Sequence, residues 1–179
     1  EAASWERPKW FSLDGRAEEA GFGRTNVHDV VAEECLAVRN RVGVTDLSSF
    51  AKFDVTGADA EAFLNRISAN RLARKQGGIT LTHLLSDNGM ILSEATVSHL
   101  AEGHYYVLSS AAAQHRDLDH LRLPIRPHED VRVEDITGDW GTLVIAGPRS
   151  RDTLAKITAA DLSDDNFRWL SGQVIEMAG

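Results

Sequence analysis

Apolar residues first settle into a helical rhythm over 31–42, where Val31, Cys35, Val38 and Val42 recur every three or four positions, the spacing of a single helix face. Asn26 stands ahead of them as a cap, since its side-chain oxygen can accept from a free first-turn amide, and Gly43 ends the helix. Phe50 to Thr56 alternates as a strand. A second helix follows Gly57 and carries Ala60, Phe63, Leu64 and Ile67 on one face. Gly77 and Gly78 open a strand, ITLTHLLS, and Asp87-Asn88-Gly89 is turn chemistry that joins it as a hairpin to MILSEATVSHL. A second turn, Ala101 to His104, leads into YYVLSS, which completes an antiparallel meander. Ser110 is placed to cap a short Ala-rich helix, Ala111 to Leu121. After the break at Pro124 to Pro127, VRVEDI and WGTLVIAG are expected to pair with each other. Pro148 suits the first turn of a helix bearing Leu154 and Ile157, and Asp161 to Leu170 reads as one more short helix. Helices interspersed with antiparallel strands make the expected class α+β, with antiparallel sheets and flanking helices. Residues 1–25 keep neither period despite Trp5, Trp10, Phe11 and Phe22, and are read as an irregular segment laid over a neighbour.

Composition narrows the function more than the fold. The 179 residues are 42% hydrophobic, enough for a core in one domain or two small ones. A formal charge of −8, with no cluster of Lys and Arg, argues against a nucleic-acid partner. No stretch approaches the roughly 20 apolar residues that span a bilayer, so a soluble protein without a membrane partner is expected. Cys35 stands alone, so neither a disulfide framework nor a thiolate metal site is built within the chain. Both ends read as cut from a longer polypeptide.

One carboxylate stands out. In MILSEATVSHL, Met90, Leu92, Glu94, Thr96, Ser98 and Leu100 share one strand face, and Ile91, Ser93, Ala95, Val97 and His99 share the other. Glu94 is therefore either a partly exposed strand acid answered by a Lys or Arg across the sheet, or a carboxylate facing a ligand. If buried, it needs a partner or a raised pKa.

The other chemistry-bearing residues point to ordinary structure. His83, His99 and His104 lie on or near the hairpin strands without the spacing of a metal site. His115 and His120, with Asp117 and Asp119, are read as a solvated helix face, and Asp164-Asp165 as a first-turn acid pair. Ala146 to Arg151, AGPRSR, is either an anion-holding helix entry or a plain strand-to-helix turn. There is no nucleophile elbow and no GxGxxG.

Several segments, taken in order, resemble a known family: RVGVTDLSSFAKFDVTGADA, THLLSDNGMILSEATVSHL, HYYVLSSAAAQHRDLDHL, EDITGDWGTLVIAGPRSRDTL and DLSDDNFRWL. The chain resembles the tetrahydrofolate-binding half of dimethylglycine and sarcosine dehydrogenases, which is similar to the glycine-cleavage T-protein, an aminomethyltransferase. WERPKWF resembles the passage from the flavin half into the folate half. The resemblance thus implies that residues 1–25 are a linker from an upstream flavin domain and that 26–179 are the N-terminal part of a T-protein-like fold, incomplete at the C-terminus. The family's later Tyr-Thr-Gly-Glu motif would follow Gly179.

The resemblance also implies the chemistry. A flavin half with FAD oxidises an N-methyl amine, and the folate half captures the one-carbon unit as 5,10-methylenetetrahydrofolate. Glu94 takes the place of an acid, Asp in the T-protein, that faces the pterin and the nitrogens carrying the one-carbon unit. Thr96 shares its face, Phe50 matches an apolar residue near the pterin, and Ser110 lies where the T-protein usually has Asn. The partners implied are a small-molecule folate, a one-carbon donor and the upstream flavin domain. The compartment implied is the bacterial cytoplasm or the mitochondrial matrix. A stand-alone aminomethyltransferase and a non-catalytic folate-fold scaffold are the alternatives.

Overall fold

The computed structural model describes residues 8–178, so Trp5, Glu6 and Arg7 of WERPKWF lie outside the described residues. The chain forms two compact units. One comprises the residues up to Asp46 with Leu143–Ala160 and the last residues from Glu176; the other comprises Leu47–Thr142 with Asp161–Ile175.

The first unit holds helix α1 (His28–Asn40), the strand β1 (Gly43–Asp46), its antiparallel partner β7 (Leu143–Ala146) and the short helix α4 (Ser150–Leu154). Helix α1 has the expected period but no buried residue, and its N-cap is Val27 with no side-chain bond. Asn26 does not cap it. Its amide is spent on the preceding segment instead, accepting from the Glu19 N–H at 3.0 Å and donating to the Ala17 carbonyl at 2.9 Å. Phe11 and Phe22 are exposed, so no neighbour covers them among the described residues. Gly147 has φ +129° and lies so close to the Arg41 and Val38 carbonyls that a Cβ there would collide with backbone. The AGPRSR stretch is thus a tight turn into a five-residue helix, with the Ser150 hydroxyl donating to the Gly147 carbonyl at 2.8 Å.

The second unit is a five-stranded antiparallel sheet in the order β3-β4-β5-β2-β6. Its strands are β2 (Ala51–Thr56), β3 (Ile79–Leu85), β4 (Ile91–Ala101), β5 (His104–Ser109) and β6 (Arg132–Asp135). Helices α2 (Ala60–Ile67) and α3 (Gln114–Arg122) supply the other layer. Ala60, Phe63, Leu64 and Ile67 of α2 are all buried, as their spacing predicts, and meet Phe53, Val55, Ala95, Val97, Tyr105 and Val107 from the sheet. Burying such aliphatic and aromatic side chains contributes roughly 1.5–3 kcal/mol each, which makes this face the core. The meander forms as its turns predict, with Gly89 at φ +78° and its N–H bonded to the Ser86 carbonyl at 2.8 Å.

Three expectations are corrected. VRVEDI and WGTLVIAG do not pair with each other: β6 adds to β2 and β7 to β1, because each finds an earlier strand with an open edge. Ser110 makes no side-chain cap bond, and the helix behind it opens with a 3-10 turn at Ala111–Ala113. Residues 161–170 form turns rather than a helix. There the Asp161 carboxylate accepts from the Ser163 N–H at 2.9 Å and binds the Asn166 amide, so local side-chain bonds replace the helical ladder.

Candidate functional site

Strand alternation gives the sheet two faces of different character. On β4, Ser93, Ala95, Val97 and His99 are buried toward the core, while Glu94 and Leu100 are exposed and Thr96 and Ser98 half-buried. Glu94 is therefore not a buried carboxylate, since its side chain is 81% exposed. Nor does a Lys or Arg answer it. Across the ladder it faces His83 of β3, with Nε2 to Oε2 at 3.6 Å.

A small cleft of about 150 Å³ opens on this face, between β4 and β5. Glu94 and Thr96 line it from β4, Leu108 and Ser110 from β5 and the residue just beyond it, and Phe50 from the residue before β2, with Ala95 and Ser109 beside them. All four residues singled out in the sequence, Phe50, Glu94, Thr96 and Ser110, thus line one recess. Register brings them together. Thr96 pairs with Leu108 and Ala95 with Ser109, while Ala51 pairs with Ser109 from the other side. Phe50 and Ser110 therefore meet at the same end of neighbouring strands. The recess offers a carboxylate, two hydroxyls and an apolar wall of Phe50 and Leu108, a set that suits a flat ligand rich in N–H donors.

Lys52 anchors the wall and was not singled out from the sequence. Its side chain is fully buried, and its Nζ donates to the carbonyls of Ser48, Phe50 and Thr137 at 2.7, 3.0 and 3.1 Å. The ammonium thus fixes the backbone at Phe50.

A second cluster supports β4 from below. Ser93 donates to Asp117 Oδ2 at 2.7 Å, and Arg116 reaches Oδ1 at 3.2 Å. Asp117 is 1% exposed, so the reading of its helix as a solvated face is wrong at this position: Ser93, 24 residues earlier on β4, joins Arg116 as a partner that makes burial tolerable. Burial holds the His120 imidazole below its ordinary pKa, against the opposing pull of Asp117.

The larger recess on this unit, about 660 Å³, lies farther along the same strands, beside Ser98, Leu100 and Tyr106 and the segments 75–77 and 172–174. It contains no acid. Burial, with some help from the Asp54 charge, raises the pKa of the Tyr106 phenol, although a bond to Thr142 works the other way. The remaining strand histidines have separate tasks: His99 stacks on Tyr105 at 4.7 Å, and His104 contacts Asp54 at 3.1 Å.

Comparison with known proteins gives a consistent answer. A family model described as the GCVT N-terminal domain matches residues 1–179. Human dimethylglycine dehydrogenase, a mitochondrial protein by name, is 35% identical over 179 residues, covering 98% of this chain and 21% of that protein. The alpha subunit of sarcosine oxidase from Rhizobium meliloti (strain 1021) is 32% identical over 183 residues, 100% of this chain and 18% of that one. The chain therefore spans about a fifth of the length of these curated relatives. Among solved structures, the glycine cleavage system aminomethyltransferase T from Bartonella henselae superposes with a TM-score of 0.64 at 24% identity, covering 70% of this chain and 34% of that chain. That likeness shows the fold. No helix among the described residues is long and apolar enough to cross a membrane.

Proposed function

The chain belongs to the GCVT N-terminal domain family, and from that premise we propose that it is the tetrahydrofolate-binding portion of an FAD-dependent enzyme that demethylates N-methyl amines of the dimethylglycine or sarcosine type. In this reading the flavin portion of the same polypeptide oxidises the amine, and this portion captures the one-carbon unit as 5,10-methylenetetrahydrofolate. The observation that carries it is the single recess lined by Phe50, Glu94, Thr96 and Ser110, in a chain 35% identical to dimethylglycine dehydrogenase over nearly its whole length.

The recess fits the ligand's chemistry. A reduced pterin presents several N–H donors around a flat ring, and Glu94, Thr96 and Ser110 present acceptors beside the apolar surface of Phe50 and Leu108. Tetrahydrofolate supplies the two nitrogens between which the one-carbon unit is held. Glu94 accepts the proton released at N10 on ring closure, or stabilises the cationic charge that develops there. Glu is longer than Asp by one methylene, about 1.5 Å of reach, so its carboxylate can work from the rim of the recess.

Size sets a limit on what this chain does alone. A volume of about 150 Å³ is below the roughly 300–1,000 Å³ of typical ligand sites. The chain thus contributes one wall of the site, and by itself binds tetrahydrofolate weakly or not at all. A dissociation constant in the low micromolar range for these 179 residues alone would contradict that. In the intact polypeptide, Glu94→Gln is expected to leave amine oxidation near normal and to lower methylenetetrahydrofolate formation by about 10²-fold or more, the usual contribution of a positioned general base. Equal yields from variant and wild type would overturn the assignment.

A further inference from the structure

Nothing in the sequence marks His83 for the site, yet the structure sets it directly opposite Glu94. A β-bulge is responsible. Leu85 pairs with Ile91, but Leu84 pairs with Ser93, so one extra residue enters β4 between them. Without that residue the ladder would run His83 opposite Ser93. With it, His83 and Glu94 share the face that carries the recess, with Nε2 and Oε2 3.6 Å apart.

The pair does little for stability, since the two side chains are 44% and 81% exposed. Its effect is on orientation. A Glu side chain this exposed has many rotamers, and losing them on binding costs entropy. Among the described residues His83 is the one polar group the structure brings to the Glu94 carboxylate. Among the described residues no second ion pair reaches the imidazole. The segment flanking β3 on its far side contributes Ser68, Ala69 and Asn70, none ionisable, with the Ala69 N–H on the His83 carbonyl at 2.9 Å. Beyond β4 stand Leu108 and Ser110, and along β3 itself Leu81 and Leu85.

We propose that His83 is a positioning residue for the one-carbon site: its imidazolium holds the Glu94 carboxylate at the mouth of the recess, and so makes folate binding and capture respond to pH. The proposal rests on the folate reading above. An imidazole changes charge between about pH 5 and 8. The carboxylate is held only while the ring carries its proton; a neutral ring leaves it an acceptor but no longer fixed, so tetrahydrofolate affinity is expected to fall as pH rises.

Two measurements on the intact polypeptide test the pair and the folate reading separately. The first is the rate at which diethyl pyrocarbonate acylates His83, followed by mass spectrometry of its peptide. The reagent attacks only the neutral ring, so Glu94→Gln should speed acylation at a fixed pH by about 1.5- to 5-fold, the range of an exposed ion pair. Equal rates overturn the proposal. The second is tetrahydrofolate affinity from about pH 5 to 8. His83→Gln should flatten the profile at the weak, alkaline level, and His83→Lys, charged throughout that range, should hold the tight level across it. A His83→Gln profile that follows wild type overturns the proposal. Faster acylation in Glu94→Gln with no tetrahydrofolate bound by wild type at any pH upholds the pairing and overturns the folate reading instead.

Discussion

The Ser93–Asp117 contact lends itself to a double-mutant cycle. Ser93 lies in β4 next to Glu94, its hydroxyl donates to a carboxylate oxygen at 2.7 Å, and both residues are buried. A hydrogen bond to a charged group contributes about 1.5–3 kcal/mol. Ser93→Ala removes the donor and leaves the buried Asp117 oxygen unmatched, so it should cost that amount. Asp117→Ala leaves the Ser93 hydroxyl orphaned and gives up the Arg116 contact as well. That contact is discounted heavily, because the Arg116 side chain is 61% exposed. In the double variant neither orphan remains, and the loss should fall short of the sum of the single losses by about 1.5–3 kcal/mol. Urea unfolding followed by tryptophan fluorescence reads these values directly. With a slope of roughly 1–3 kcal/mol per molar urea, Ser93→Ala alone should lower the midpoint by about 1 M. Single losses that add to within about 0.5 kcal/mol would show that the bond is not what keeps Asp117 buried.

Three further outcomes are expected. Because burial lowers the His120 pKa in the folded protein, the unfolded chain takes up a proton there first; stability is complete above the unfolded value near 6.5 and declines as pH falls below it. His120→Asn should reduce that decline, as measured by urea midpoints at about pH 5.5 and about pH 7.5. Gly57→Ala should destabilise by at least about 2 kcal/mol in thermal unfolding, since Gly57 has φ +129° and a Cβ there would lie 2.0 Å from the Asp130 carbonyl oxygen. Lys52→Met should cost about 2 kcal/mol or more in urea and also weaken the proposed folate binding in the intact polypeptide, because three carbonyls, that of Phe50 among them, lose their shared and fully buried donor.

Local periodicity made the meander and α2 of the second unit readable from sequence. The apolar face of α2 and the three strands of the meander follow from spacing and turn residues alone, since each lies within a few residues of the signal that defines it. Contacts between distant segments were not readable. β6 and β7 pair with strands formed much earlier in the chain, a choice no adjacent residue announces. Asp117 sits among helix neighbours that include Arg116, and its second partner, Ser93, arrives from β4, 24 residues away in sequence. Lys52 alternates with core residues, yet its ammonium is directed by carbonyls as far off as Thr137. For the site, alternation put Glu94 and Thr96 on one face, and Phe50 and Ser110 followed from the family resemblance. His83 was hidden by the bulge at Leu84/Leu85. Counting back from the Asp-Asn-Gly turn along a regular ladder would set Ser93 opposite it.

The strand order has a consequence in time. β3, β4 and β5 are joined by tight turns and can pair by short loop closures. β2 precedes all three in the chain but pairs with β5 and β6, so its place is gained only through contacts of long sequence separation, which form slowly. Glu94, Thr96 and Leu108 can thus be in register before Phe50 arrives. Folding followed at this recess is expected to show the hairpin side protected early and the Phe50 side last, with docking of β2 as the step that turns an open sheet edge into a walled cleft.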